Sequence, residues 1–241
     1  MGAIIRFWLD QAPREEIDLS RSKYVLYDGT YFHKNGCFIS LMDSQSQQTI
    51  SHVYAQKEGF MGSYKWFGGL REAGLYPLYI TMDGERQVMK AIREVWPDVK
   101  IQRCLYHIQR EGLRWLRTYP KTQAGRELRI ILKSLCRVDS LGSKERFLME
   151  FRRWLERYWG YVKSLPWEEV ACKDLKRTMG LITNAIPDMF YFLEDPSIPK
   201  TTNQMESFYS RLKADYRRHR GLTEKHKISY LAWYAYFHNH D

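Results

Sequence analysis

Residues 23–32 (KYVLYDGTYF) are apolar or aromatic at nearly every position, the composition of a buried strand, with a single acid, Asp28, in the middle. Asn35-Gly36 follows, the strongest short-range hairpin signal. Residues 37–42 and 49–55 predict two further strands, the second alternating Ile50, His52 and Tyr54 with Thr49, Ser51 and Val53. Three strands joined by short turns form an antiparallel meander. A helix is expected over 59–73, stopped by Gly74. The apolar run 77–82 then ends in Asp83-Gly84, and 86–95 has helical spacing at Val88, Met89, Ile92 and Val95 before Pro97. Residues 99–104 supply a fifth strand. Strand, helix, strand in that order implies a parallel pair with a crossover.

Beyond residue 108 strand patterns stop. Phe147, Phe151, Trp154 and Tyr158 recur at helical spacing and make 144–164 an amphipathic helix. Further helices are expected at 109–118, 123–137 and 167–185. After the irregular stretch marked by Pro187, Pro196 and Pro199, two more are expected at 203–218 and 227–237. The pattern is α/β in the first half and helical in the second.

Composition narrows the class. No stretch approaches the roughly 20 apolar residues of a membrane span, and the N-terminus carries Arg6 and Asp10 where a signal peptide needs an unbroken apolar run. A soluble globular protein is expected. Cys37, Cys104, Cys136 and Cys172 form no C-x-x-C pair, which argues against a disulfide framework or zinc ribbon and fits a reducing cytoplasm. The formal net charge of +10 points to a polyanionic partner. It is concentrated: residues 100–137 hold ten Lys/Arg against Glu111 and Glu127, and a second run carries Arg211, Lys213, Arg217, Arg218 and Arg220. A solvated helix face is the plainer account of either run alone; two separate runs favour nucleic acid.

Three carboxylates stand out, each with a structural alternative. Asp28 in an apolar strand needs a compensating partner such as a metal ion, unless Asp28-Gly29 is a turn. Asp83 lies at the carboxyl end of a strand, where ligand sites of open α/β sheets gather, but Asp is also a common helix N-cap. Glu206 opens a late helix, and Asn203 three residues earlier gives a capping-box pattern. Together, two strand aspartates and a glutamate on a helix passing over them would make an oxygen-rich site for Mg²⁺ or Mn²⁺.

The order of these features resembles the ribonuclease H-like catalytic core of DDE transposases, in particular the Mutator-like group of insertion-sequence transposases. The matching residues are Tyr27-Asp28-Gly29-Thr30-Tyr31, Thr81-Met82-Asp83-Gly84 and Asn203-Gln204-Met205-Glu206, with Cys104-Leu105-Tyr106-His107 similar to that group's C-x-x-H signature. The resemblance runs from about residue 22 to 237. It implies a mixed five-stranded sheet flanked by helices, with an all-helical insertion between the fifth strand and the glutamate-bearing helix. In residue terms the core would be 22–108 and 200–241, and the insertion 109–199.

The same resemblance implies an enzyme that cleaves DNA and transfers strands, with Asp28, Asp83 and Glu206 holding two divalent ions, Mg²⁺ or Mn²⁺. Double-stranded DNA, both element ends and target, would be the partner, met by an oligomer of the chain in a bacterial or archaeal cytoplasm. Cys104 and His107 would support the site or approach DNA. Trp115, Trp154, Trp159 and Trp167 could stack on an unpaired base, although an aromatic stripe at helical spacing is more often core. Family members usually carry a DNA-binding module ahead of the core, for which about twenty residues leave no room, so either the chain is a fragment or end recognition comes from elsewhere. A nuclease without strand transfer, or a silent transposase-derived DNA-binding protein, would keep much of this pattern.

Overall fold

The computed structural model describes residues 3–13, 15–32, 36–166, 168–219 and 221–240. They divide into two compact units, Met1–Ile101 with Thr202–Asp241, and Gln102–Thr201.

Five strands form one mixed sheet: β1 (Tyr24–Tyr31), β2 (Cys37–Asp43), β3 (Thr49–Ala55), β4 (Tyr79–Met82) and β5 (Lys100–Arg103), in the order β3-β2-β1-β4-β5. β1 pairs antiparallel with β2 and parallel with β4, and β2 pairs antiparallel with β3. This is the predicted meander followed by a crossover. Asn35 of the expected hairpin turn lies outside the described residues; Gly36, beside it, has φ +96°, a conformation natural to glycine.

In the first unit, α2 (Phe60–Glu72) and α3 (Arg86–Val95) cover one face of the sheet. Val25, Tyr27, Ile80 and Met82 meet Phe67, Val88, Ile92 and Val95 there. The opposite face carries α8 (Asn203–Tyr216) and α9 (Glu224–His240). Met205, Phe208, Tyr209 and Leu212, one stripe of α8, pack on Leu26, Phe38 and Met42. Covered on both sides, β2 is buried throughout its length. Each such large apolar side chain contributes roughly 1.5–3 kcal/mol by leaving water. A short helix, α1 (Ala3–Leu9), packs along α9, where the Trp8 and Trp233 rings lie 5.3 Å apart edge to face.

The second unit is helical: α4 (Leu105–Leu116), α5 (Gln123–Ser134), α6 (Leu141–Ser164) and α7 (Val170–Ala185). Its core gathers Ile108, Leu128, Leu132, Phe147, Phe151 and Leu175. Trp154 belongs to this core, its indole N–H donating to the Ala124 carbonyl at 2.9 Å, so it is no stacking surface. Trp159 is exposed with Lys163 over its ring, and Trp167 lies outside the described residues. Among the described residues no helix is long and apolar enough to cross a membrane.

Candidate active site

The parallel pairing of β1 with β4 matches Val25 to Ile80 and Leu26 to Thr81. Two residues on, the same register sets Asp28 beside Asp83, on strands whose backbones run about 4.8 Å apart. Alternation fixes their direction. Val25, Tyr27, Ile80 and Met82 enter the core under α2 and α3, whereas Leu26 faces α8 and α9. Asp28 and Asp83 share the Leu26 face.

Asp28 is no turn residue. β1 continues through it, pairing Asp28 with Ser40 and Gly29 with Ile39. Asp83 does not cap α3 either: Glu85 is that cap, accepting from the Gln87 amide, and an Asp83 oxygen accepts from the Glu85 amide at 3.1 Å. Nor does Asn203 form a capping box with Glu206. Asn203 is the first residue of α8, its cap is Thr202, and no side chain caps that end.

Glu206 is brought over the sheet by its own helix. One turn further along α8, Tyr209 donates its hydroxyl to the Asp28 carbonyl oxygen at 2.6 Å. Residues three apart share a helix face, so this bond holds the Glu206 side of α8 against the strand that carries Asp28. Burial, and then the Asp28 charge, raise the Tyr209 phenol well above its usual range, keeping it a donor.

A fourth carboxylate belongs to the group. Glu58, just ahead of α2, accepts from the Tyr27 hydroxyl at 2.7 Å and the Tyr31 hydroxyl at 3.5 Å. A Cβ on Gly29 would stand 2.9 Å from a Glu58 oxygen, so the glycine beside Asp28 leaves the room that Glu58 fills. Nothing in the sequence around Lys57-Glu58-Gly59 marks it; only the fold brings it in.

The electrostatics record the crowding. Burial first, then the Asp83 charge, push the Asp28 carboxyl up to about 8, with smaller contributions from Glu206 and Glu58, while the bond from the Gly29 amide at 2.9 Å pulls the other way. Glu58 is also raised, by burial above all; the Tyr27 hydroxyl opposes this, and Asp83 and Glu85 add to it. Neighbouring carboxylates thus add to the raised proton affinity of Asp28 and Glu58, which is the condition that a bound cation relieves. As placed, no three His, Cys, Asp or Glu among the described residues form a group able to hold an ion by themselves. Mg²⁺ is commonly bound by one or two carboxylates together with water and substrate phosphate, and the Asp28–Asp83 pair suits that hard-oxygen chemistry.

Cys104 and His107 lie in the helical unit, Cys104 buried as the residue that precedes α4 and His107 in its first turn. Cys104 lies near enough to Cys136 to help raise its thiol, after burial. Of the second basic run, Arg211 and Arg217 are exposed, Arg218 pairs loosely with Asp215 at 3.7 Å, and Lys213 lies over the Phe32 ring at 5.8 Å. Arg220 lies outside the described residues.

The fold and these acids define an α/β protein with one carboxylate inside a strand, Asp28, and another just past the end of the parallel neighbouring strand, Asp83, on the sheet face that a helix covers. The family model for the Mutator family of transposases matches residues 42–229, and the chain belongs to that family. No curated protein matches it significantly. Among solved structures, one chain of a simian T-cell lymphotropic virus intasome in complex with a PP2A regulatory subunit matches at 15% identity, covering 68% of this chain and 51% of that one. The superposition is poor, with a TM-score of 0.28. The chain spans about half the length of that match.

Proposed function

We propose that the chain is a ribonuclease H-like DDE transposase core that cleaves DNA and joins the freed 3′ end to a target, acting at Asp28, Asp83 and Glu206. The observation that carries this reading is the parallel pairing of β1 with β4, which brings Asp83, just past the end of β4, close enough for its charge to act on Asp28, under the helix that bears Glu206, in a chain of the Mutator family.

Two Mg²⁺ or Mn²⁺ ions would supply charge for activating the attacking oxygen and stabilising the leaving one in an in-line displacement. Asp28 and Asp83 offer donors from rigid strands, so little reorganisation is required when a phosphodiester arrives. Glu206 faces them from α8, with Tyr209 holding that helix in place. Glu58 adds negative charge from the other side of β1. The partner is double-stranded DNA, approached along the exposed arginines of α8 and its C-terminal end, and the working form is an oligomer of the chain.

The test is a cleavage and strand-transfer assay with duplexes that carry the ends flanking the gene. Nicked and joined products are expected with Mg²⁺ or Mn²⁺ and none in EDTA. Products that persist in EDTA, or none with either ion despite DNA binding, would refute a metal-dependent active site.

Cys104 and His107 are expected to serve packing or DNA contact and not zinc. Structural zinc takes four protein ligands, and no further cysteine or histidine completes a group with them among the described residues. Elemental analysis of protein purified without added metal should find no stoichiometric zinc. Zinc at one equivalent, lost in Cys104→Ser, would contradict this.

A further inference from the structure

From Ile228 to Phe237, α9 is uncharged around its whole circumference, in a chain of which 27% of residues are charged. A helix that is apolar on every side is normally buried on every side. Leu231 and Ala235 pack on the sheet side with Phe208 and Leu212. The outer stripe of Tyr230, Trp233 and Phe237 meets α1 instead, and α1 covers it only in part, leaving Phe237 57% exposed.

α1 turns the same chemistry outward. Its Ile4, Ile5, Phe7 and Trp8 are all at least half exposed, and Arg6 is its single charged residue. The rings form one contiguous surface, with Phe7 on Trp8 at 5.5 Å, Trp8 on Trp233 at 5.3 Å and Trp233 on Phe237 at 5.6 Å. A groove of about 650 Å³ lies between the two helices, lined by Ile5, Leu9 and Tyr230 as well as by these rings. The exposure belongs to a fastened element. The Trp233 indole N–H donates to the Trp8 and Gln11 carbonyls at 2.9 and 3.0 Å, and the Ser229 hydroxyl donates to Gln11 at 2.8 Å.

Size and charge select what covers this face. At these exposures Phe7, Trp8 and Phe237, with Ile4 and Ile5, leave about 400–500 Å² of apolar surface in water. A homodimer interface of about 800 Å² per partner, about 65% apolar, requires about 500 Å² from each copy. The face is therefore the size of one side of a dimer. Its margin, Asp10 with Lys225 and His226, is paired within the chain. Nucleic acid would need several cations where α1 offers Arg6. Two copies that each carry +10 repel, so a stretch without charge is where they can approach.

We propose that the face formed by α1 and α9 is the surface on which two copies of this chain associate, about a two-fold axis that sets the exposed rings of each copy into the groove of the other. An oligomer belongs to the DNA-joining reading above, on which this interface rests for its purpose but not for its chemistry.

The experiment is sedimentation velocity on the full chain in EDTA, without DNA. Over about 1–100 µM it should show a monomer–dimer equilibrium with a dissociation constant in the micromolar range or below, as interfaces of this size give. Raising NaCl from about 0.1 to 0.5 M should leave the dimer as tight or tighter, because salt screens the repulsion between basic copies and spares apolar contact. Ile5→Glu and Phe237→Glu are each expected to weaken association at least about a hundredfold, since the symmetry places each new charge in the interface twice. Both side chains already stand more than half in water, so the far-UV circular dichroism of the variants should match wild type. A wild type that stays monomeric overturns the proposal, as does a dimer that both variants retain or that salt dissociates. So does a monomer that binds neutral phosphatidylcholine vesicles and loses them in Phe237→Glu, which would make the face a lipid surface. A chain that forms this dimer and never cleaves DNA refutes the active-site reading alone, and one that cleaves and joins while monomeric refutes this inference alone.

Discussion

Replacing Asp28 or Asp83 with asparagine is expected to lower metal-dependent strand cleavage by about a thousandfold or more. Metal-borne charge stabilisation amounts to several kcal/mol, and each 1.36 kcal/mol is a factor of ten. Because the swap removes charge and little volume, duplex DNA affinity should hold within about twofold. The metal-free protein should respond in the opposite sense. The Asp28 carboxyl, raised to about 8 by burial and by Asp83, ionises in the unfolded chain near its ordinary 3.8. Its contribution to stability is therefore fully present below pH 3.8 and is lost as the pH rises through about 8. Asp28→Asn removes that penalty, so without divalent ions the variant should melt above wild type at about pH 8 and converge with it near pH 4. Mg²⁺ should raise the melting temperature of wild type and not of the variant. Thermal melts across that pH range, with and without Mg²⁺, check the sign. Cleavage within tenfold of wild type, or a variant that melts lower than wild type at pH 8 without metal, would remove Asp28 from the site.

Much of this was legible in the residues. The strands expected at 23–32, 37–42 and 49–55 form at Tyr24–Tyr31, Cys37–Asp43 and Thr49–Ala55, because alternation and β-branched or aromatic content are local properties that burial on this sheet reinforces. Expected and observed bounds also agree for α3, Arg86–Val95, a helix with a clean apolar stripe. Helix starts were less readable. α4 begins at Leu105, not 109, because the chain turns from β5 into helix directly at Cys104 with no side-chain cap to mark it. α1 carries no helical stripe, since Ile4, Ile5, Phe7 and Trp8 all remain at least half exposed. For the acids, Asp28 was conspicuous by being an acid in an apolar run. Asp83 and Glu206 carried ordinary local explanations that only tertiary geometry displaced. Glu58 had no signal at all: its place over Gly29 depends on how the chain turns from β3 into α2, which no spacing along the sequence encodes.

Tyr209→Phe should separate positioning from chemistry. The phenol is buried and donates to the backbone of Asp28 itself, so removing one oxygen leaves the ring in the core with Phe38 and Phe208 while cutting the tie between α8 and β1. The lost bond contributes about 1 kcal/mol, a fall of only a few degrees in melting temperature. Its effect on turnover should be larger. Glu206 sits one turn away on the same helix face, and displacements near 1 Å at reacting groups can cost about a hundredfold. The expected result is a drop in kcat of roughly ten- to a hundredfold, with KM for DNA and duplex affinity nearly unchanged. The Mg²⁺ concentration needed for half-maximal cleavage should rise as well, a readout that a general loss of stability would not move at temperatures well below the melt. Tyr209→Ala, which also empties core volume, should by contrast lower the melting temperature strongly and lose activity through unfolding. If Tyr209→Phe cleaves at the wild-type rate and Mg²⁺ requirement, the bond to Asp28 is packing alone, and Glu206 reaches its place without it.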